Sequence, residues 1–147
     1  MKVLALFPFA LALCLTGCSS VVDANIQRNV RLESLKKAYV VRDPNSTGGC
    51  EEAAREALIQ RGVSVTYGFF QDKPKDVDFY VEVVDRWQWD VAMFLVSLDI
   101  RFREDATGDP IANGWFKQSS FFHTFPDQRK KTVEVIDAIY NAQPPAK

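Results

Sequence analysis

One stretch, residues 79–103 (FYVEVVDRWQWDVAMFLVSLDIRFR), constrains the fold more than any other part of this chain. In its first half the apolar side chains occupy odd-numbered positions, and in its second half they occupy even-numbered positions. Alternation with a period of two marks a β-strand with one buried face. Because the phase reverses without a gap, the stretch predicts a long β-hairpin that turns near Asp90.

Two registers direct both apolar faces of this hairpin to the same side of a sheet. A two-residue loop would place Glu82 opposite Asp99, which are like charges. It would also require a positive φ at Val91, a β-branched residue. A four-residue loop over residues 90–93 instead places Glu82 opposite Arg101, and we expect this register. Its inner pairs would be Trp89–Phe94, Trp87–Val96, Val83–Ile100 and Val81–Phe102.

Length and composition indicate one globular domain. The chain has 147 residues, enough for one domain and too few for two. Its hydrophobic content of 47% and charged content of 25% are typical of globular proteins. Nearly all of the 11 phenylalanines follow residue 68, which places the core in the second half of the chain. The net charge of −1 argues against a nucleic-acid-binding surface.

The amino terminus has the composition of a secretory signal peptide. Lys2 supplies its positive charge, and residues 3–15 form an apolar run that is too short for a good membrane-spanning helix. The run ends in the segment LTGC. This segment resembles the lipobox of bacterial lipoprotein precursors, which has a leucine, two small residues and an obligatory cysteine. The matching residues are Leu15, Thr16, Gly17 and Cys18.

The resemblance to lipoprotein precursors implies that residues 1–17 are removed and that Cys18 becomes the first residue. Cys18 would then carry a thioether-linked diacylglycerol and a further acyl chain such as palmitate. Two or three acyl chains give stable membrane anchoring, whereas one is marginal. Ser19 at the second mature position implies sorting to the outer membrane, with the domain facing the periplasm. The alternative is an ordinary signal peptide that is cut before an incidental cysteine.

The mature chain divides into a lipidated tether, residues 18–34, and a single periplasmic domain, residues 35–147. The order β-α-β-β-β-β-α predicts an α+β two-layer sandwich, in which two helices pack on one face of a mainly antiparallel sheet of four to five strands. If the strands on either side of the first helix share the sheet, they are parallel. Outside the hairpin, the predicted strands are residues 35–42, 63–70 and 111–123, and the predicted helices are residues 50–61 and 129–141.

This layout resembles small periplasmic domains of envelope lipoproteins. Examples are auxiliary lipoproteins of lipid-transport ABC systems, curli-secretion-type lipoproteins and the amino-terminal domain of TolB. The segment WQWD at residues 87–90, followed by an apolar strand, also resembles an uncharacterised family of small proteobacterial lipoproteins with a W-x-W-D hairpin. That resemblance would cover residues 35–140. It implies a fold and a location, and no chemistry.

The reactive side chains do not form a catalytic or metal-binding pattern. Cys14 leaves with the signal and Cys18 is acylated, so Cys50 has no intrachain disulfide partner. The Cys50 thiol is either buried and inert or paired with another molecule. His123 is the one histidine, whereas a zinc site needs three or four ligands. No nucleophile-elbow motif surrounds it, although Ser119 and Ser120 are near in sequence. We therefore expect no catalytic residue, metal or cofactor.

Five residues of the predicted sheet each have two interpretations. Trp87 and Trp89 share the inner face of the hairpin, where they either pack against a helix or form an aromatic ligand platform. Trp115 is undecided between packing and a ligand role. His123 is either a catalytic residue or a histidine at the end of a strand that is hydrogen-bonded to the backbone. Asp85 interrupts the same inner face. It is either a bulge or rim position, or a buried carboxylate with a partner.

Four hairpin residues are candidate contact residues. Met93 and Leu95 interrupt the otherwise polar outer face, and beside Tyr80 and Val84 they would form an exposed apolar patch. The alternative is that a further strand, loop or helix covers them.

Three functions remain open at this point. The first is a non-catalytic outer-membrane lipoprotein, held in the membrane through Cys18, whose domain binds an envelope protein through a sheet edge or the Met93–Leu95 patch. The second is a periplasmic binding module for a lipid or other apolar ligand, as in auxiliary lipoproteins of transport systems. The third, an enzyme, lacks a supporting motif. The sequence does not name the partner or the oligomeric state.

Overall fold

The structure is a computed structural model that describes residues 20–47, 49–118 and 125–142. The regular structure of these residues consists of one sheet, two α-helices and the short 3-10 helices Leu32–Ser34 and Phe70–Asp72. The strands are β1 (Val21–Ile26), β2 (Lys37–Val41), β3 (Ser64–Gly68), β4 (Phe79–Asp90), β5 (Ala92–Glu104) and β6 (Pro110–Lys117), and the helices are α1 (Gly49–Gln60) and α2 (Gln128–Asn141).

The fold is α+β, as predicted, but the sheet has six strands and is mixed. Its strand order is β1-β6-β5-β4-β2-β3. The neighbouring pairs β1–β6, β6–β5 and β5–β4 are antiparallel, whereas β2 is parallel to both β3 and β4. The parallel pair on either side of α1 confirms the predicted strand-helix-strand unit. The prediction of a mainly antiparallel sheet of four to five strands was wrong in strand number and in strand direction.

The additional strand is β1, which lies within the segment that we predicted to be a tether. Its alternate residues Val22, Ala24 and Ile26 pack against the core, and all six of its residues pair with β6. A strand this short and this weakly apolar is stabilised by its neighbour rather than by its own pattern. The sheet therefore includes Val21–Ile26, which lie in the segment that we predicted to be a tether.

The hairpin has the predicted register in the half farther from its turn and a different register near the turn. Glu82 lies opposite Arg101, and Val83 lies opposite Ile100, as predicted. The register then shifts between Arg86 and Trp87. The turn is tighter than the predicted four-residue loop, and Val91 adopts the positive φ of 58° that we expected it to avoid. The observed pairs Trp87–Leu95 and Trp89–Met93 replace the predicted Trp87–Val96 and Trp89–Phe94.

The core lies between the sheet and the two helices, which start at the same end of the sheet. Gly49 at the start of α1 contacts Gln128 at the start of α2. Near the other end, Arg61 forms an ion pair with Asp137 of α2. The Asp127 side chain caps α2 by accepting a hydrogen bond of 2.8 Å from the Lys130 backbone N–H. Among the described residues, no helix combines the length and the apolar character needed to cross a membrane.

Candidate contact surfaces

Among the described residues, the β4–β5 hairpin extends beyond the strands β1, β6 and β2 at the end of the sheet where both helices begin. Lys117, the last residue of β6, lies opposite Ser97 of β5, which in turn lies opposite Arg86 of β4. From Arg86 to the turn at Val91 the hairpin continues for five residues. At about 3.3 Å per residue, this overhang is about 16 Å long.

The overhang carries exposed apolar side chains, which we call the tip cluster: Trp89, Val91 and Met93. Their exposed fractions are 69%, 89% and 50%. Trp89 and Met93 lie directly opposite each other, so they form one cross-strand pair. Phe125, which is also exposed, places its ring edge-on to Phe94 at a centroid distance of 5.9 Å.

The base of the overhang is held by a hydrogen-bonded carboxylate. Asp85 Oδ2 accepts a hydrogen bond of 2.6 Å from Trp87 Nε1 and one of 3.5 Å from Thr47 Oγ1. Asp85 is half-buried and Trp87 packs against the core. Asp85 combines the two interpretations, because it lies beside the register shift and is only half-buried, while its carboxylate has hydrogen-bond partners. Trp87 packs against the core as predicted, whereas Trp89 does not and is 69% exposed.

The four predicted contact residues do not form one surface. Tyr80 is buried beneath Phe70, with the two rings edge-on at 5.4 Å. Val84 is half-buried on the outer face, Met93 is exposed, and Leu95 is fully buried. The register shift explains the last two positions, because it turns Leu95 and Met93 to the same face as Trp87. The prediction of an exposed patch of these four residues was wrong.

The free edge of the sheet at β3 is a second surface. Ser64 N–H donates to Lys36 O, and Gly68 O accepts from Arg42 N–H. Since successive residues direct their backbone groups to opposite edges, those of Val65 and Tyr67 point away from β2. No strand among the described residues pairs with that side.

Edge strand β3 has none of the features that usually discourage pairing with another strand. Its sequence SVTYG contains no charge and no proline, and no bulge interrupts its pairing with β2. Exposed apolar side chains continue the surface at the end of the strand, because Tyr67, Phe69 and Phe70 are 41%, 37% and 55% exposed. Arg42 stacks over the Phe69 ring at 5.2 Å.

The outer face of the sheet carries polar side chains whose opposite charges form ion pairs with each other. Arg103 pairs with Glu82, and Arg101 pairs with Asp99, each at 2.8 Å. The hydrogen bond to Glu82 raises the pKa of Arg103 above its ordinary value. Trp115 is half-buried on this face, where it borders a depression of about 200 Å³.

The described residues include neither a metal-binding cluster nor an available thiol. No group of three or more His, Cys, Asp or Glu side chains is arranged to hold a metal ion in residues 20–47, 49–118 and 125–142. Cys50 is a free, fully buried thiol, and its burial raises its pKa to about 11. Cys18, Ser119, Ser120 and His123 lie outside the described residues.

The comparisons with known proteins show similarity of fold alone. No protein-family profile matches this sequence, and no curated protein matches it. Two crystal structures of the PelC dodecamer from Paraburkholderia phytofirmans match with TM-scores of 0.57 and 0.55, at 12% and 11% identity. Each alignment covers 85% of this chain and 99% of the PelC chain.

Two further solved structures are less similar. A PDZ domain protein from Parabacteroides distasonis matches with a TM-score of 0.51 at 11% identity, over 83% of this chain and 35% of the other. A minor lipoprotein from Acinetobacter baumannii matches at 17% identity, over 72% of this chain and 90% of the other, but its TM-score of 0.41 is too low to carry an argument.

Proposed function

We propose that this chain is a non-catalytic lipoprotein of the bacterial outer membrane, anchored through acyl chains on Cys18, whose periplasmic domain binds a protein partner. The contact is the free edge of β3. The observation that carries this proposal is the uncharged, exposed edge strand, in which the backbone groups of Val65 and Tyr67 point away from the sheet.

The chemistry of this edge favours an extended segment as the partner. An added strand would form main-chain hydrogen bonds with Val65 and Tyr67, and alternate side chains of the partner would contact the flanking aromatic rings. Phe69 and Phe70 supply apolar area next to the strand, and Arg42 supplies a cation. The fitting partner is therefore a short β-strand with apolar or aromatic side chains.

A second copy of this chain is one source of such a strand. The PelC protein with a similar fold is described as a dodecamer. At the opposite edge of the sheet, no strand among the described residues pairs with the outer side of β1, so the β1 edge of one copy can meet the β3 edge of the next. Such a head-to-tail contact forms a ring when its rotation closes.

The alternative function, a binding module for an apolar ligand, finds less support in the geometry. Such sites are enclosed and lined mainly by apolar side chains. The larger depressions of the described surface are lined largely by charged and polar residues instead. One of about 420 Å³ is lined by Arg42, Thr47, Gly49, Glu52, Arg55 and Tyr67.

The proposal is tested by placing a lysine on each edge in turn. Thr66 of β3 and Asn25 of β1 are both exposed, so Thr66→Lys and Asn25→Lys are matched variants that leave the core unchanged. The mature protein is extracted from its host membrane in mild detergent, and the mass of its complex is measured by native mass spectrometry.

We expect the wild-type protein to carry a stoichiometric protein partner. Thr66→Lys should release that partner, whereas Asn25→Lys should retain it when the partner is a different protein. Loss of the complex in both variants identifies a second copy as the partner. A monomeric wild-type protein, or a complex that survives Thr66→Lys, would contradict the proposal.

A further inference from the structure

The first strand begins only three residues after the proposed lipid attachment site. Val21 opens β1 and lies opposite Lys117, at the level of Ser97 and Arg86 in the sheet. Three residues span at most about 10 Å even when fully extended. The membrane surface at Cys18 is therefore within about 10 Å of this end of the sheet.

The hairpin overhang points in the same direction and reaches further. The β4 strand runs parallel to β6 and antiparallel to β1, so its turn and the start of β1 lie at the same end. From the level of Val21, the turn at Val91 is about 16 Å away along the strand. The tip therefore extends about 6 Å past the furthest position that Cys18 can reach in that direction.

The side chains at this end suit the membrane interface. Five of the nine large hydrophobic side chains that are exposed in the described part of the chain lie here. They are Val21, Trp89, Val91, Met93 and Phe125. Tryptophan is enriched at membrane interfaces because its ring is apolar while its N–H remains able to hydrogen-bond.

The geometry points to a second membrane contact: we propose that the tip cluster, Trp89, Val91 and Met93, enters the interface of the bilayer that holds Cys18. This inference rests on the lipid attachment in the proposed function. Two contacts at one end, the acyl chains and the tip, fix the orientation of the domain. They direct the opposite end, with the C-terminus of α1, into the periplasm and leave the β3 edge accessible from the side.

Tryptophan fluorescence in vesicles tests this contact. The mature acylated protein is incorporated into vesicles of phosphatidylethanolamine and phosphatidylglycerol that contain a doxyl-labelled phosphatidylcholine, which quenches tryptophan at the interface. We expect quenching in the wild-type protein, retention of most of it in Trp115→Phe, and its loss in Trp89→Phe. Trp115 is the control because it is half-buried on the outer face of the sheet.

A charge at the tip provides a second, independent variant. Val91→Asp should lose most of the quenching while its far-ultraviolet circular dichroism stays that of the wild type, because Val91 is 89% exposed. Ile59→Asp is the matched control, since Ile59 is exposed near the end of α1, away from the tip. This variant should be quenched as strongly as the wild type.

The outcomes separate this inference from the proposed function. A protein whose mass shows no acyl chains contradicts the lipid attachment before any vesicle is prepared. An acylated protein whose Trp89 is unquenched by the doxyl lipid and remains accessible to aqueous acrylamide overturns the tip contact alone. Protection from acrylamide without lipid quenching would show that another copy of the chain covers the tip, and this result also overturns the inference.

Discussion

Trp87 donates its indole N–H to Asp85 Oδ2 over 2.6 Å, and this bond joins two residues on the same face of β4. The same carboxylate oxygen is 3.5 Å from Thr47 Oγ1, which precedes α1. Asp85 therefore connects the base of the hairpin overhang to the start of a helix. The connection lies where the register of the hairpin shifts and where regular pairing alone supports the strands least.

Replacing Asp85 should lower the stability of the domain. Asp85→Ala leaves the half-buried indole N–H of Trp87 without its acceptor, so we expect the free energy of unfolding to fall by about 1–2 kcal/mol. Asp85→Asn retains an acceptor oxygen and should lose less than half of that amount. Urea unfolding of the two variants measures both values. Equal stability of Asp85→Ala and the wild type would show that the bond contributes nothing.

Burial of Cys50 predicts a pH dependence of stability. Burial raises the pKa of the folded thiol from 9.0 to about 11, so the thiol stays protonated in the folded protein after it has ionised in the unfolded chain. The contribution of this raised pKa to the free energy of unfolding is fully present below pH 9 and is lost as the pH rises towards 11. We expect a loss on the order of 2 kcal/mol across this window.

The Cys50→Ala variant is the control for this pH dependence. All other ionisable groups are common to the two proteins, so the difference between the two stability curves reports the Cys50 thiol. Urea unfolding is measured from pH 8 to pH 11. Over this range the free energy of unfolding should fall more in the wild type than in Cys50→Ala. A constant gap would mean that the thiol has the same pKa in the folded and unfolded chains.

Val91 holds a backbone conformation that is unfavourable for its side chain. Its φ of 58° lies in the left-handed region, which β-branched residues rarely adopt. Val91→Asn should raise the free energy of unfolding by about 1 kcal/mol, because asparagine tolerates this region and Val91 packs against little. Met93→Asn, at the neighbouring exposed position, should give no such gain. The urea midpoints of the two variants are compared with that of the wild type. A midpoint for Val91→Asn below that of the wild type would contradict the prediction.

The register of the hairpin half farther from the turn could be predicted from sequence, because the alternation of apolar residues and the pairing of charges favour the same register there. Glu82 and Arg101 lie on the polar face between apolar neighbours, and only one register pairs them favourably. The register of the half near the turn could not be predicted in the same way. Residues 94–96 (FLV) are all apolar, so they fit a buried face in either phase, and the pattern does not show where a register shift occurs.

The first strand and the β3 edge depend on contacts that are distant in sequence. Val22, Ala24 and Ile26 alternate with polar residues, but the pattern is too short and weak to indicate a strand without β6 beside it. Similarly, residues 63–70 are a recognisable strand in the sequence. Their position at the sheet edge follows only from the strand order, because β2 pairs with β4 on its other side. The exposure of Trp89 likewise depends on how far the hairpin extends past the neighbouring described strands.

The proposed attachment of lipid to Cys18 underlies both the proposed function and the proposed orientation at the membrane. The most direct test is the intact mass of the protein purified from its native host, combined with labelling by radioactive palmitate. We expect a mature chain that begins at Cys18, carries the mass of a diacylglyceryl group and a further acyl chain, and incorporates palmitate. We also expect Cys18→Ala to abolish the added mass and the palmitate label. A mature chain that begins elsewhere, or that carries an unmodified Cys18, would contradict the lipid attachment.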